Sequence, residues 1–199
     1  MARAVLPASF YDRPTLEVLE DLIGKVLVHG DGSRRTAGII VEAEAYIGES
    51  DPACHAAAGR TRRNAPLYGP AGRAYVYFNY GMHYLVNAVT EPEGQPAAVL
   101  IRALDPLEGI GLMQRRRARK RNDTRAVATH ALCQGPGNLT TALAIDLRQN
   151  AADLEQSRLR IEDAGIAPKR LTWSRRIGIR VGTSRRWRCH WSGHPAVSG

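Results

Sequence analysis

The run Ile39-Ile-Val-Glu-Ala-Glu-Ala-Tyr46 sets two carboxylates and a phenol at alternate positions. Successive side chains of an extended strand point to opposite faces, so Glu42, Glu44 and Tyr46 share one. Two acids at that spacing repel each other. The repulsion raises the proton affinity of at least one, which suits it to act as a general base or a cation ligand. The same pattern also describes the solvated face of an edge strand. The loop that follows, Gly48-Glu-Ser-Asp-Pro-Ala-Cys-His55, is rich in turn formers, and loops leaving a scaffold strand commonly build sites. His55 is placed to complete a pocket. The Cys and His positions show neither CxxC nor HxxxH spacing, so no metal site is expected.

Five of the seven tyrosines, Tyr68, Tyr75, Tyr77, Tyr80 and Tyr84, fall within residues 68–84. Core packing accounts for alternate residues such as Tyr75 and Tyr77, but Tyr80 stands beside Gly81 at an expected hairpin tip, where burial is hard to achieve. An aromatic on a tip is a candidate wedge for insertion between base steps. Basic residues concentrate at Arg115, Arg116, Arg117 and Arg119, with Lys120 and Arg121 completing the run. Such a run is commonly a solvated face, and cations complement a helix C-terminus. With Arg125 and the pairs Arg175-Arg176 and Arg185-Arg186 it also forms a candidate stripe for a phosphate backbone.

Several elements must position these groups. Apolar residues at 16, 19, 22 and 23 predict a helix over 14–24, which Gly24 is placed to end. Residues 25–28 and 37–46 read as strands joined by the turn-rich His29-Gly-Asp-Gly-Ser33, and 73–78 with 84–89 as a second hairpin. Residues 99–104 read as a buried strand. Asp105-Pro-Leu-Glu108 has the pattern of a helix start, predicting a helix from about 106 towards Arg119. A helix over 138–145 follows the Gly135-Pro-Gly137 turn, and 177–181 with 187–191 read as closing strands. With no repeat or linker, the expectation is a single domain over 1–199, of mixed α/β or α+β class. Its helices would surround a curved, largely antiparallel β-sheet with a protruding hairpin.

The chain has 199 residues, 44% hydrophobic and 24% charged, ordinary for a folded domain. The 28 Lys plus Arg against 19 Asp plus Glu give a net charge of +9, which favours a polyanionic partner, nucleic acid foremost. Only Lys25, Lys120 and Lys169 are lysines; coding bias or the phosphate-matching fork of Arg explains the skew. Three scattered cysteines argue against a disulfide framework, no stretch approaches the roughly 18 apolar residues of a membrane span, and no signal peptide is evident. A soluble, cytoplasmic protein is expected.

Read together, these blocks resemble the alkyladenine, or 3-methyladenine, DNA glycosylase family. The resemblance is carried by Gly38-Ile-Ile-Val-Glu-Ala-Glu-Ala-Tyr-Ile-Gly48, His55, Arg63-Asn64, Tyr75-Val-Tyr77, Tyr80-Gly-Met82 and Asn87. It continues through Leu100-Ile-Arg-Ala-Leu104, Pro106-Leu-Glu-Gly109, Gly135-Pro-Gly-Asn-Leu139 and Ala142-Leu-Ala-Ile145, in family order from about residue 20 to residue 155. It implies that Glu44 deprotonates the attacking water, that Arg102 helps hold it, and that Tyr46, His55 and Tyr77 line a pocket for an extruded base. Asn87 would crowd the amino group of guanine, and Tyr80 would fill the gap in the stack. It also implies a monomer, without metal or cofactor, acting on double-stranded DNA containing damaged purines. The sequence departs from the family at Cys54, where a small residue is more usual. Rival readings are a non-catalytic nucleic-acid-binding module, disfavoured by two carboxylates on the binding face, and a Mg²⁺-dependent nuclease using Glu42, Glu44 and Asp51.

Overall fold

Strand-period patterning dominates the middle of the chain, and the computed structural model, which describes residues 3–79, 81–123 and 125–199, gathers it into one curled antiparallel sheet. In chain order the elements are β1 (Ala4–Val5), α1 (Ala8–Tyr11), α2 (Thr15–Leu22), β2 (Val26–His29), β3 (Thr36–Ile47), β4 (Ala74–Asn79) and β5 (His83–Val89). β6 (Ala97–Glu108), α3 (Ile110–Arg121), α4 (Pro136–Leu143), β7 (Leu159–Asp163), β8 (Leu171–Ser174) and β9 (Arg188–Trp191) follow. The sheet order is β1-β7-β2-β3-β6-β5-β4, with β9 added to β3 and β8 to β9. The class is the expected mixed α+β, and no helix among the described residues is long and apolar enough to cross a membrane.

α2 forms where its apolar period predicts, with Glu17 in the first turn complementing the helix dipole. Its Val18, Leu19 and Leu22 are wholly buried where α2 packs on β3 and β6, in a main core that also holds Ile40, Ala43, Leu104, Leu139 and Leu143. Each such side chain contributes about 1.5–3 kcal/mol, and truncating Leu19 to Ala would cost about 2–5 kcal/mol. A smaller cluster, Cys54, Ala56, Leu67, Tyr75, Val89 and Ala98 with Tyr46 and Tyr77 against it, packs separately and walls the site described below.

β3 is the pivot. Its first half pairs with β2 and its second with β9, while β6 runs along its other edge throughout. Where it changes partner, the β3–β6 register slips twice: Ile40 faces Leu104, Glu42 faces Ala103 and Ala43 faces Ile101, so Val41 and Arg102 are each skipped. Ile40, Ala43 and Ala45 all join the main core, a spacing of three and then two. Bulges re-aim side chains next to sites, and this one sets Arg102 against the glutamates.

Two expected elements differ. Residues 105–108 continue β6 and α3 starts at Ile110, because Asp105 and Pro106 pair with Ile39 and Gly38 while the Glu108 carboxylate is bound by Arg3 and by Arg35 Nε at 2.7 Å. The helix instead begins after Gly109, at φ 74°, where a Cβ would lie 2.5 Å from the Arg35 carbonyl oxygen. Residues 177–181 form a loop; β8, at Leu171–Ser174, is the strand that pairs with β9.

Candidate active site

Glu42 and Glu44 lie on one face of β3 and are both completely buried, yet their surroundings push them in opposite directions. Glu42 Oε1 accepts from Arg102 Nε at 2.8 Å and Arg188 Nε at 2.7 Å, and its Oε2 accepts from the Ser198 amide and hydroxyl, each at 2.7 Å. Burial alone would raise its carboxyl; Arg102, Ser198 and Arg188 outweigh burial and hold it below the ordinary value. Glu44 Oε1 accepts from the Ile177 amide at 2.7 Å and lies 3.3 Å from Arg102 Nη1, while its Oε2 accepts from the Tyr46 hydroxyl at 2.8 Å. Here burial prevails over Arg102, Ile177 and Tyr46, and Glu44 sits above the ordinary value. The environments thus separate the paired acids, with Glu42 an anchored anion and Glu44 the one with the greater affinity for a proton.

The groups that hold Glu44 also line a cavity of about 500 Å³, a size usual for ligand clefts. Tyr46, Arg102 and Ile177 belong to its lining, together with Cys54, His55, Tyr75, Tyr77, Asn87 and Leu100. The His55 ring lies edge-on to Tyr77 at 4.4 Å, with its Nδ1 2.8 Å from the Tyr75 hydroxyl. Desolvation, with the Arg63 charge adding, pushes His55 below its usual value, so it is neutral at pH 7. Asn87 donates to the Tyr75 carbonyl oxygen at 2.9 Å. The loop 177–181 contributes Ile177, Ile179, Arg180 and Val181 to the lining.

The structure thus brings together Glu44, Arg102, Tyr46, His55, Tyr77 and Asn87. Tyr80 lies outside the described residues, although the hairpin around it does not: Phe78 and Met82 are exposed, Arg63 Nη2 donates to the Phe78 carbonyl oxygen and Lys120 Nζ to that of Met82, both at 3.1 Å. The basic run is divided. Arg115, Arg119, Lys120 and Arg121 are exposed, whereas Arg117 is buried one turn after Met113 on the core face and donates to the carbonyl oxygens of Ala131 and Leu132. Arg116 donates to the Ala142 carbonyl oxygen at 2.8 Å. Both cations tie α3 to its neighbours; Arg117 is buried on the core side, whereas Arg116 is half-buried and is engaged through Nη1 alone. Arg176 is likewise buried, on Asp51. Asp51, grouped with the glutamates in the metal-dependent reading, has both oxygens engaged by that guanidinium.

Sequence reasoning missed Ile177, Arg188 and Ser198, which reach the site from far along the chain, and set Arg176 in a phosphate stripe when it is buried on Asp51. It also set Cys54 apart from the chemistry, whereas this side chain lines the cavity, with burial raising its thiol to about 11.

The site thus sets a buried carboxylate, held above its ordinary value, on groups that line a cavity walled partly by aromatic rings. Residues 9–195 match the methylpurine-DNA glycosylase (MPG) family, and the chain belongs to that family of DNA-repair hydrolases. Over 196 residues it is 46% identical to a protein of Chlorobium phaeobacteroides named "Putative 3-methyladenine DNA glycosylase", covering 98% of this chain and 95% of that one. Proteins of the same name from Methanocella arvoryzae and Burkholderia lata are 46% and 44% identical, each over 98% of this chain and over 96% and 92% of their own lengths.

Proposed function

We propose that this chain is a monofunctional glycosylase that draws an alkylated or deaminated purine out of duplex DNA into the cavity and hydrolyses its N-glycosidic bond. A base inside the stack is unreachable and must be rotated out at a cost of a few kcal/mol, least for a damaged base. The observation that carries the reading is Glu44: a wholly buried carboxylate, raised by that burial and held on three sides by Tyr46, Ile177 and Arg102, all of which line the cavity. Ionised, it takes a proton from water as the bond to the base breaks, and its charge steadies the oxocarbenium-like sugar. Arg102, fixed through Nε on Glu42, keeps Nη1 towards Glu44 and the attacking water.

Tyr46, His55 and Tyr77 supply stacking surfaces for the extruded base, and Asn87 crowds an exocyclic amino group, which disfavours guanine. Tyr80 occupies the vacated place in the stack. Exposed Arg115 and Arg119, with Lys120 and Arg63 flanking the hairpin, provide the cationic surface for the backbone. The protein acts as a monomer, in the cytoplasm, without a cofactor.

The test uses duplexes each carrying one defined lesion, incubated with enzyme in excess EDTA and then treated with alkali to reveal abasic sites. The wild type is expected to leave alkali-labile sites with EDTA present, and Glu44→Gln is expected to bind the lesion duplex and release no base. A variant retaining more than about a hundredth of the rate would refute the assignment, since general-base contributions run to roughly 10²–10⁴.

A further inference from the structure

Arg176 and Asp51 form an ion pair whose side chains are both fully buried. Nη1 meets Oδ2 at 2.5 Å and Nη2 meets Oδ1 at 2.8 Å, a bidentate fork, and Nη1 also donates to the Ala45 carbonyl oxygen at 3.0 Å. The guanidinium lies 4.6 Å from the Tyr46 ring centre and 5.3 Å from that of Trp187. Asp51 is fixed in turn by the Ala53 and Ile47 amides, at 3.2 and 3.4 Å. Neither residue lines the cavity.

A buried ion pair recovers its desolvation cost only with excellent geometry, so its place in the fold calls for a reason beyond stability. Arg176 touches two of the three donors that hold Glu44. It is joined through the chain to Ile177, whose amide donates to Oε1, and it packs on the ring of Tyr46, whose hydroxyl donates to Oε2. The third donor, Arg102, is held independently by Glu42.

We propose that the Asp51–Arg176 pair is a positioning device that keeps the Tyr46 hydroxyl and the Ile177 amide on Glu44, and so sets the rate of the hydrolytic step. This role rests on Glu44 being the base. The charged and titratable groups around Glu44 are Glu42 and Tyr46 on β3, Tyr77 on β4, Arg102 on β6, Arg188 opposite it on β9, and Arg176 itself. Only Tyr46 and the amide next to Arg176 depend on the pair. Loosening them destabilises the carboxylate relative to the acid, so Glu44 holds its proton to higher pH.

The experiment measures single-turnover release of methylpurines from duplex DNA treated with dimethyl sulfate, across pH 5–9, with melting temperature and duplex affinity recorded for each protein. Arg176→Lys keeps the charge but loses the fork and the stacked plane. Asp51→Asn combined with Arg176→Gln removes both buried charges and leaves only the part-exposed Arg185, 3.5 Å from Asp51, without its carboxylate. Both are expected to lower the rate at neutral pH about tenfold, the partial loss of one charge-assisted hydrogen bond, and to move the acid limb to higher pH without weakening DNA binding. Tyr46→Phe, which removes one donor and leaves the pair intact, is expected to move the limb in the same direction. If the pair variants melt earlier but keep the wild-type rate per folded molecule and an unmoved acid limb, the pair is merely structural and the proposal is overturned. Glu44→Gln measured alongside separates the two levels: an active Glu44→Gln overturns both readings, and an inactive one with unaltered pair variants overturns this one alone.

Discussion

Replacing Glu42 with Gln tests whether the anchored carboxylate, as distinct from its neighbour, is a keystone. The amide has one acceptor where the carboxylate has two. With its oxygen towards Arg102 and Arg188, its NH₂ confronts the Ser198 amide; turned the other way, it confronts two guanidinium groups. Breaking a buried pair by removing one partner costs about 3–5 kcal/mol, and the three side chains are only 0%, 8% and 10% exposed, so solvent screening gives little relief. Arg102 keeps Glu44 at 3.3 Å, which places the loss near the lower end, about 3 kcal/mol. For a chain of this size that corresponds to a fall in melting temperature of about 6–12 °C, readable by circular dichroism. The pH dependence has a definite sign. The carboxyl of Glu42 is held below its ordinary value, so its contribution is complete above the unfolded carboxylate range and vanishes as pH falls through the depressed value. The gap between wild type and variant is therefore full at pH 7 and closes in acid. A shift under about 2 °C at neutral pH, or a gap that persists at the acid end, would refute the reasoning.

Neutralising Arg115 and Arg119 together should flatten the log-log salt dependence of DNA binding by about one unit per lost phosphate contact, whereas Arg117→Gln should lower the melting temperature and leave the slope alone; the opposite pattern would place the DNA surface elsewhere. Tyr80→Ala should impair excision of paired lesions more than unpaired ones, because a wedge matters most where pairing resists, and equal losses on both would remove that role. Borohydride should trap no covalent adduct with lesion DNA: of the three lysines, Lys25 is paired with Asp163 at 2.7 Å, Lys120 and Lys169 are exposed, and none lines the cavity. A trapped adduct would replace water activated by Glu44 with amine attack.

The residues that sequence reasoning placed together are those on regular strands. Period-two alternation put Glu44 beside Tyr46 and Tyr75 beside Tyr77, and the sheet keeps both relations, with Asn87 opposite Tyr75 in the β4–β5 hairpin. Local signals failed where a distant partner overrode them. Asp105-Pro-Leu-Glu108 carries every mark of a helix start, yet Glu108 answers to Arg3 and Arg35, and a strand is what delivers it there. The arginines looked alike as a composition. Only the helical period, which places Arg117 four residues after Met113, distinguishes one that faces the core from one that faces solvent. Arg176 lies 125 residues from Asp51, and no periodicity reports a contact of that kind.

The bond from Ser198 to Glu42 spans 156 residues of chain. At synthesis rates of about 5–20 residues per second, roughly 8–30 s separate the emergence of the two partners. For most of that interval β3 has neither β9 nor the Ile177 amide, and the two neighbouring carboxylates lack the partners that hold them in the folded protein. Closure of the sheet by β9 is a late event with a large loop to close, the kind of contact that makes folding slow. A nascent or broken chain that stops short of Arg176 carries Glu44 without the Ile177 amide that the folded protein sets on it.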